Sequence, residues 1–155
     1  MKSNRGPWHS LSRAPVDVAS GINKGSANSR ILSLMERGYL AEDLDFLFNS
    51  LARNSDLELE THVIAGFPTE TPEDWEDTVR FICKHPFRYV MGNIYMPGSG
   101  TRAAMMPGQI KEEEKARRML NGAEKMEKHG TVVGHNLSWR AKEHITHTHV
   151  DFMEL

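Results

Sequence analysis

The sequence predicts an α/β protein built on a parallel β-sheet. Segments with the two-residue alternation of β-strands are separated by segments with the 3.6-residue period of amphipathic helices. Strands that alternate with helices favour parallel pairing with right-handed connections. The chain of 155 residues, 39% apolar and 26% charged, is long enough to form one domain with its own core. Because ligands bind beyond the carboxyl ends of the strands in such sheets, the loops at those ends form the candidate site.

The first part of the chain is predicted to contain one strand and two helices. The elements are a loose segment over residues 1–14, a strand over residues 15–22, a helix from Asn28 to Gly38, and a helix from Leu40 to Asn54. Evenly spaced apolar residues predict the strand, and a loop over residues 23–26 follows it. Asn28 or Ser29 can cap the first helix, and Gly38 ends it. An apolar stripe with helical spacing, starting at Leu44, predicts the second helix.

The central unit consists of an alternating strand, a tight turn and a helix. Residues 57–65 alternate between two faces and end at a Gly-Phe-Pro turn that starts at Gly66. Thr71 can cap a helix that begins at Pro72, where the missing N–H of proline costs nothing. His85, which precedes a proline, ends this helix. Gly66 would let the backbone lie close to a ligand at the end of the strand.

The third unit repeats this order. A strand from Phe87 to Tyr95 leads into a glycine-rich loop over residues 96–101, whose N–H groups can meet a ligand. The longest helix follows, from Lys111 to Lys128. Its charged runs, residues 111–115 and Arg117-Arg118, are predicted to form a solvated face. The folded domain is therefore predicted to span residues 15–134, followed by a C-terminal tail over residues 135–155.

Charge and composition exclude several classes of protein. A formal charge of -2 argues against a chain whose main role is to bind the phosphates of nucleic acid. No apolar run is long enough to span a bilayer, and the first twenty residues lack the apolar core of a signal peptide, so a cytoplasmic protein is expected. The single cysteine, Cys83, is better explained as a buried structural residue than as a nucleophile.

Three segments together resemble the second half of a radical S-adenosylmethionine enzyme. Residues 21–39 begin Gly-Ile-Asn-Lys-Gly-Ser and end Met-Glu-Arg-Gly-Tyr, and they resemble the fourth strand and helix of that family. Residues 63–75, which contain Gly-Phe-Pro-Thr-Glu-Thr-Pro, resemble the fifth strand segment. Residues 95–101, Tyr-Met-Pro-Gly-Ser-Gly-Thr, resemble the sixth. The similarity covers residues 16–130 and is closest to the methylthiotransferase-like branch and related Fe-S oxidoreductases.

The resemblance implies a partial TIM-like (β/α) barrel whose three units correspond to units four to six of the family. It also implies that these units shape the adenosine side of an S-adenosylmethionine site. By this resemblance Ile64 presents its backbone to the adenine, and Tyr95 and Met96 line the adenine edge. Asn23 and Ser26 would lie near the ribose or the methionine end.

Two further residues are candidates from their own chemistry. Gly66 is the point of close backbone approach, and Glu70 could accept a hydrogen bond from a ribose hydroxyl at the strand end. Glu70 could equally be a solvated loop carboxylate near a helix N-terminus. His62 could act as an acid or base, although a histidine without a visible partner is more often structural.

The sequence departs from the family in its cysteines. The family holds a four-iron four-sulfur cluster through Cys-x-x-x-Cys-x-x-Cys, and this motif is absent, since Cys83 is the one cysteine. No catalytic residue is therefore predicted, and the chain alone is not expected to perform radical chemistry. A cluster-bearing partner chain or homo-oligomer is expected, because an open three-stranded sheet leaves an edge and a face uncovered.

Two other functions remain open from the sequence. The chain could be a non-catalytic α/β module for nucleotide binding or assembly. It could instead be a metalloenzyme that uses the tail, in which His144, His147, His149 and Asp151 have ligand-type side chains.

Overall fold

A computed structural model describes residues 26–53 and 58–137. The elements, in chain order, are α1 (Ser29–Leu34), α2 (Ala41–Leu51), β1 (Leu59–Ala65), α3 (Pro72–Lys84), β2 (Phe87–Ile94), α4 (Arg102–Met105), α5 (Glu112–Lys128) and β3 (Val132–Asn136). The predicted N-terminal segment, the strand over residues 15–22 and the tail histidines His144, His147 and His149 lie outside the described residues.

The described strands form one parallel sheet in the order β1-β2-β3. Leu59 pairs with Phe87 and Ala65 with Ile94, while Tyr89 pairs with Val132. The prediction of an α/β fold with a parallel sheet is confirmed. Strand β3 is absent from the sequence prediction, because five residues that include Gly134 and His135 carry no alternating apolar pattern.

The core lies between the sheet and the helices packed on one of its faces. Residues of β1 alternate as expected, with Leu59, Thr61, Val63 and Ala65 buried. Further core residues come from helices and from β2: Leu44, Phe48, Trp75, Val79, Ile82, Phe87, Val90, Ile94, Ala116, Met119 and Met126. The predicted apolar stripe of the second helix is thereby confirmed at Leu44 and Phe48.

Helix α5 packs closely against the sheet and α3 because two glycines leave room. A Cβ added at Gly92 of β2 would overlap the sulfur of Met119, and a Cβ at Gly122 would lie 2.7 Å from Trp75 Cζ2. Trp75 Nε1 donates to the carbonyl oxygen of Arg118 at 2.9 Å. These contacts fix the position of α5, which supplies two charged side chains to the candidate site.

Helix α1 ends earlier than predicted. Met35 caps it, Glu36 takes a left-handed backbone (φ 58°), and the amide of Arg37 donates to the carbonyl oxygen of Leu32 at 2.9 Å. This is the Schellman pattern, in which a glycine normally occupies the left-handed position. The predicted stop residue, Gly38, lies two residues farther on.

The other face of the sheet is partly open among the described residues. Its side chains, half-buried or exposed, include Glu60, His62, Ile64, Tyr89, Met91, Asn93 and Val132. None of the helices in residues 26–53 and 58–137 is long and apolar enough to cross a membrane.

Candidate functional site

The loops after β1 and β2 meet at the carboxyl edge of the sheet. The amide of Tyr95 donates to the carbonyl oxygen of Ala65 at 2.8 Å, which joins the two strand ends directly. Gly66 then turns the chain with φ of +81°, a conformation that favours glycine. The amide of Glu70 donates to the carbonyl oxygen of Phe67 at 2.9 Å and closes the turn.

A cavity of about 240 Å³ opens at this edge. Ile64, Phe67 and Tyr95 line it, and the rings of Phe67 and Tyr95 meet edge to face with centroids 5.3 Å apart. The remaining lining side chains come from the end of α1, the segment after it, and α4: Leu34, Met35, Glu36, Arg37, Arg102, Ala103 and Met106. The cavity therefore combines apolar walls with charges of both signs.

Tyr95, which lines this cavity, carries a buried hydroxyl group. Tyr95 is 9% exposed, and its Oη has no hydrogen-bond partner within residues 26–53 and 58–137. A buried hydroxyl without a partner is costly, which makes this atom a candidate for binding a polar group of a ligand.

The side chain of Glu70 points inward and stabilises the Gly66 turn through a hydrogen bond. Its Oε1 accepts hydrogen bonds from the amide of Gly66 at 2.9 Å and from Arg118 Nη1 at 3.1 Å. The residue is 3% exposed, so the interpretation of Glu70 as a solvated carboxylate is wrong. Sequence position alone could not show this, because the turn folds the side chain under its own backbone.

The protonation of Glu70 is shifted by its surroundings. Burial raises the pKa of Glu70 to about 7, although the hydrogen bonds from Gly66 and Arg118 act in the opposite direction. Its second oxygen, Oε2, is buried and has no partner among the described residues. The contribution of Glu70 to stability should therefore change near neutral pH.

Arg118 and Asp74 complete a charged cluster around Glu70. Arg118 also donates to the backbone oxygen of Glu70 at 2.8 Å and to Glu114 Oε1 at 2.8 Å. Asp74, in the first turn of α3, pairs with Arg30 of α1. Burial favours a higher pKa for Asp74, but hydrogen bonds from Arg30 and from Thr71 outweigh it and lower the pKa.

Lys115 lies beside this cluster and contacts both strand ends. Its Nζ donates to the carbonyl oxygen of Tyr95 at 2.9 Å and lies 5.2 Å from the centroid of the Tyr95 ring. The residue is 4% exposed, and burial lowers the pKa of its ammonium group. The prediction of a solvated face is thus wrong for Lys115 and Arg118, which α5 turns toward the Gly66 loop.

The predicted site residues fall into separate places. Ile64 and Tyr95 share the cavity, whereas Gly66 and Glu70 bond to each other beneath the turn. The side chain of Met96 is 59% exposed and is not among those lining the cavity.

The residues predicted from the first loop are placed differently again. Ser26 Oγ lies 3.0 Å from Thr78 Oγ1 of α3 and accepts a hydrogen bond from the amide of Asn28 at 3.0 Å. Asn23 lies outside the described residues.

Sequence reasoning missed the contributions of Phe67, Lys115 and Arg118. Phe67 lies within the Gly-Phe-Pro turn, and its apolar ring at the end of a strand was a signal for a cavity-lining residue. Lys115 and Arg118 are three residues apart, which places them on one side of a helix, next to the apolar stripe. This spacing was the signal that both basic side chains face the interior beside the apolar stripe.

Cysteine and metal chemistry are not apparent in the described part of the chain. Cys83 is half-buried, and burial, with a smaller contribution from Glu76, raises the pKa of its thiol, which suits a structural residue. Within residues 26–53 and 58–137, no three His, Cys, Asp or Glu side chains are grouped so that they could hold a metal ion. The hypothesis of a metal site in the tail concerns residues beyond this range.

Comparison with known proteins finds several relatives that share one name. The tRNA-2-methylthio-N(6)-dimethylallyladenosine synthase of Aquifex aeolicus is 41% identical over 95 residues, which are 61% of this chain and 22% of that protein. The synthase of the same name from Caldicellulosiruptor saccharolyticus is 42% identical over 94 residues, 60% of this chain and 20% of the relative. The chain is a partial homologue of the radical S-adenosylmethionine methylthiotransferases. This confirms the resemblance read from the three sequence segments.

A third relative extends the match. The synthase of Moorella thermoacetica is 38% identical over 115 residues, which are 70% of this chain and 26% of the relative. No family model matches the sequence. The matched part therefore spans about a fifth to a quarter of the length of these methylthiotransferase relatives.

Proposed function

We propose that this chain supplies the adenosine side of an S-adenosylmethionine site within a radical S-adenosylmethionine barrel. The predicted strand over residues 15–22, β1 and β2, with their helices, would be units four to six of that barrel. The observation that carries the proposal is the cavity at the joined ends of β1 and β2, lined by Ile64 and Tyr95, in a homologue of methylthiotransferases.

The cavity suits an adenosine group. The apolar side chains of Ile64 and Phe67 would contact the faces of the adenine, and the buried hydroxyl of Tyr95 would bind one of its polar atoms. Glu36 and Arg102, which pair with each other at the cavity, match in sign the amino and carboxylate groups of the methionine end. In this family the cofactor supplies a 5′-deoxyadenosyl radical when a reduced cluster is present.

The residues of this chain do not fit the iron-sulfur cluster. A four-iron four-sulfur cluster of this family needs three thiolates, and the sequence contains one cysteine. We therefore propose that another segment or chain bears the cluster. The open face of the sheet, which includes Ile64, Met91 and Val132, is the surface that such a partner or a second copy would cover.

A second candidate is a nucleotide-binding module without radical chemistry. The single cysteine favours it, because the adenosine cavity does not depend on thiolates. Both candidates predict adenosine binding, but a partner that donates a cluster is required only by the first.

Calorimetric titration of the chain with S-adenosylmethionine tests the shared claim. We expect saturable binding, weakened about fivefold by Tyr95→Phe, because the loss of one hydrogen bond costs about 1 kcal/mol. Tyr89→Phe is the matched control, since Tyr89 lies near the start of β2 and its hydroxyl contacts Met91. An absence of binding at millimolar ligand would rule out the cofactor assignment for this chain.

A further inference from the structure

Lys115 is an unusual residue for the position it occupies. Removing an ammonium group from water costs several kcal/mol, and an apolar side chain of similar length would avoid that cost. Lys115 is nevertheless 4% exposed in the interior of the carboxyl edge. Its Nζ donates to the main-chain oxygen of Tyr95 at 2.9 Å.

The rest of the side chain is fitted to the neighbouring strand end. A Cβ added to Gly66 would overlap the Cγ of Lys115 and lie 3.0 Å from its Cβ and Cδ. The aliphatic part of Lys115 therefore fills the space that glycine leaves open after β1, while its ammonium group reaches the residue after β2. One side chain thus bridges the two ends that the Tyr95 to Ala65 hydrogen bond also joins.

The contact with Tyr95 connects Lys115 to the cavity. The ammonium group holds the carbonyl oxygen of Tyr95 and lies 5.2 Å from the centroid of its ring, while the ring itself lines the cavity. A shift of this backbone would move the Tyr95 ring and the buried hydroxyl together. Lys115 is not among the cavity-lining residues, so it acts on a ligand indirectly, and its contact with Tyr95 is the direct link to a lining residue.

We propose that Lys115 is a positioning residue for the ligand cavity, holding the main chain of Tyr95 so that its ring and hydroxyl face the ligand. The identity of the ligand as S-adenosylmethionine rests on the proposed function. The positioning of Tyr95 in the ligand-free chain does not rest on the proposed function. The positioning role and the identity of the ligand can therefore be tested separately.

The test uses Lys115→Met, which retains an unbranched apolar stem and removes the ammonium group. Lys111→Met is the matched control, since Lys111 is an exposed lysine immediately before α5. Amide hydrogen exchange of the ligand-free chain is measured for Tyr95, whose amide donates to Ala65, and for amides in the middle of β1 and β2. Calorimetry with S-adenosylmethionine is then performed on both variants.

We expect Lys115→Met to speed exchange at the Tyr95 amide at least tenfold, to leave the strand interiors unchanged, and to weaken S-adenosylmethionine binding about tenfold. Unchanged exchange at Tyr95, or faster exchange spread over the whole sheet, would overturn the positioning role. Unchanged affinity in a chain that binds the cofactor would also overturn it. If the unaltered chain binds no cofactor, the proposed function fails, and the exchange measurement still decides the role of Lys115.

Discussion

At the scale of single residues, the site depends on charged side chains that the fold hides. Glu70, Lys115 and Arg118 look like surface residues in the sequence, because nothing in their local pattern marks them as buried. The structure places all three around the Gly66 turn. Their burial follows from the close packing of α5, which depends on Gly122 of α5 and on Gly92 of β2, and local sequence reasoning cannot anticipate that.

The fit between Gly66 and Lys115 predicts an energetic coupling. Gly66→Ala should destabilise the fold more than Gly130→Ala does, by at least about 1 kcal/mol, because both glycines have positive φ but open space surrounds Gly130. In a Lys115→Ala background this excess should shrink, since the overlapping Cγ is gone. Denaturant unfolding of Gly66→Ala and Gly130→Ala, each with and without Lys115→Ala, measures this excess cost. Equal costs for the two glycine substitutions in the unaltered chain would contradict the close packing of Lys115 against Gly66.

Glu70 predicts a dependence of stability on pH. Its pKa is raised to about 7 in the fold, so the folded state binds more protons than the unfolded state between about pH 4.5 and 7. The stability contributed by Glu70 is therefore fully present below pH 4.5 and is lost as the pH rises through 7.

Glu70→Gln removes this titration and provides the test. Relative to the variant, the unaltered chain should lose about 3 kcal/mol of unfolding free energy between pH 4.5 and 8. Asp74, Glu114 and other titrating groups are common to both proteins and largely cancel in the difference. Parallel stability profiles of the two proteins would show that Glu70 does not titrate in this range.

At the scale of elements, the sequence predicts regular segments well and exceptional ones poorly. Strands β1 and β2 and helices α3 and α5 begin and end within two residues of their predicted bounds, because alternation, caps and apolar stripes specify them locally. Strand β3 was missed, since its pairing with β2 rather than its own pattern makes it a strand. Helix α4, with four residues, is too short to have a period.

The end of α1 offers a prediction about stability. Glu36 occupies the left-handed position of the Schellman motif, where a side chain costs about 1 kcal/mol and glycine does not. Glu36→Gly should therefore raise the unfolding free energy by up to about 1 kcal/mol, since the exposed ion pair with Arg102 contributes little. Thermal and denaturant unfolding measure this, and a destabilised variant would contradict the assignment of the cap.

At the scale of the whole molecule, the described sheet has helices on one face and a partly open second face. The homologous relatives are four to five times longer than the matched segment, so additional structure accompanies it in those proteins. The sequence predicted both the parallel sheet and the carboxyl edge as the candidate site. Closure into a barrel remains a proposal, because it depends on partners beyond residues 26–53 and 58–137.

The open face predicts self-association when no partner chain is present. Light scattering at tens of micromolar should give a mass above the 17.6 kDa of one chain. Val132→Lys, on the open face, should lower that mass because it places a charge in the contact. Phe46→Lys, at an exposed position on α2, is the control and should have no effect. A strictly monomeric chain would contradict self-association and leave a different partner chain as the proposal.

The most direct test of the adenosine site is NMR of methionine methyl groups during titration with S-adenosylmethionine. Met35 and Met106 line the cavity, whereas Met119 and Met126 are buried in the core beneath the sheet. We expect saturable chemical-shift changes at Met35 and Met106 and little change at Met119 and Met126. Shifts confined to other methionines, or none at millimolar ligand, would contradict an adenosine site at the ends of β1 and β2.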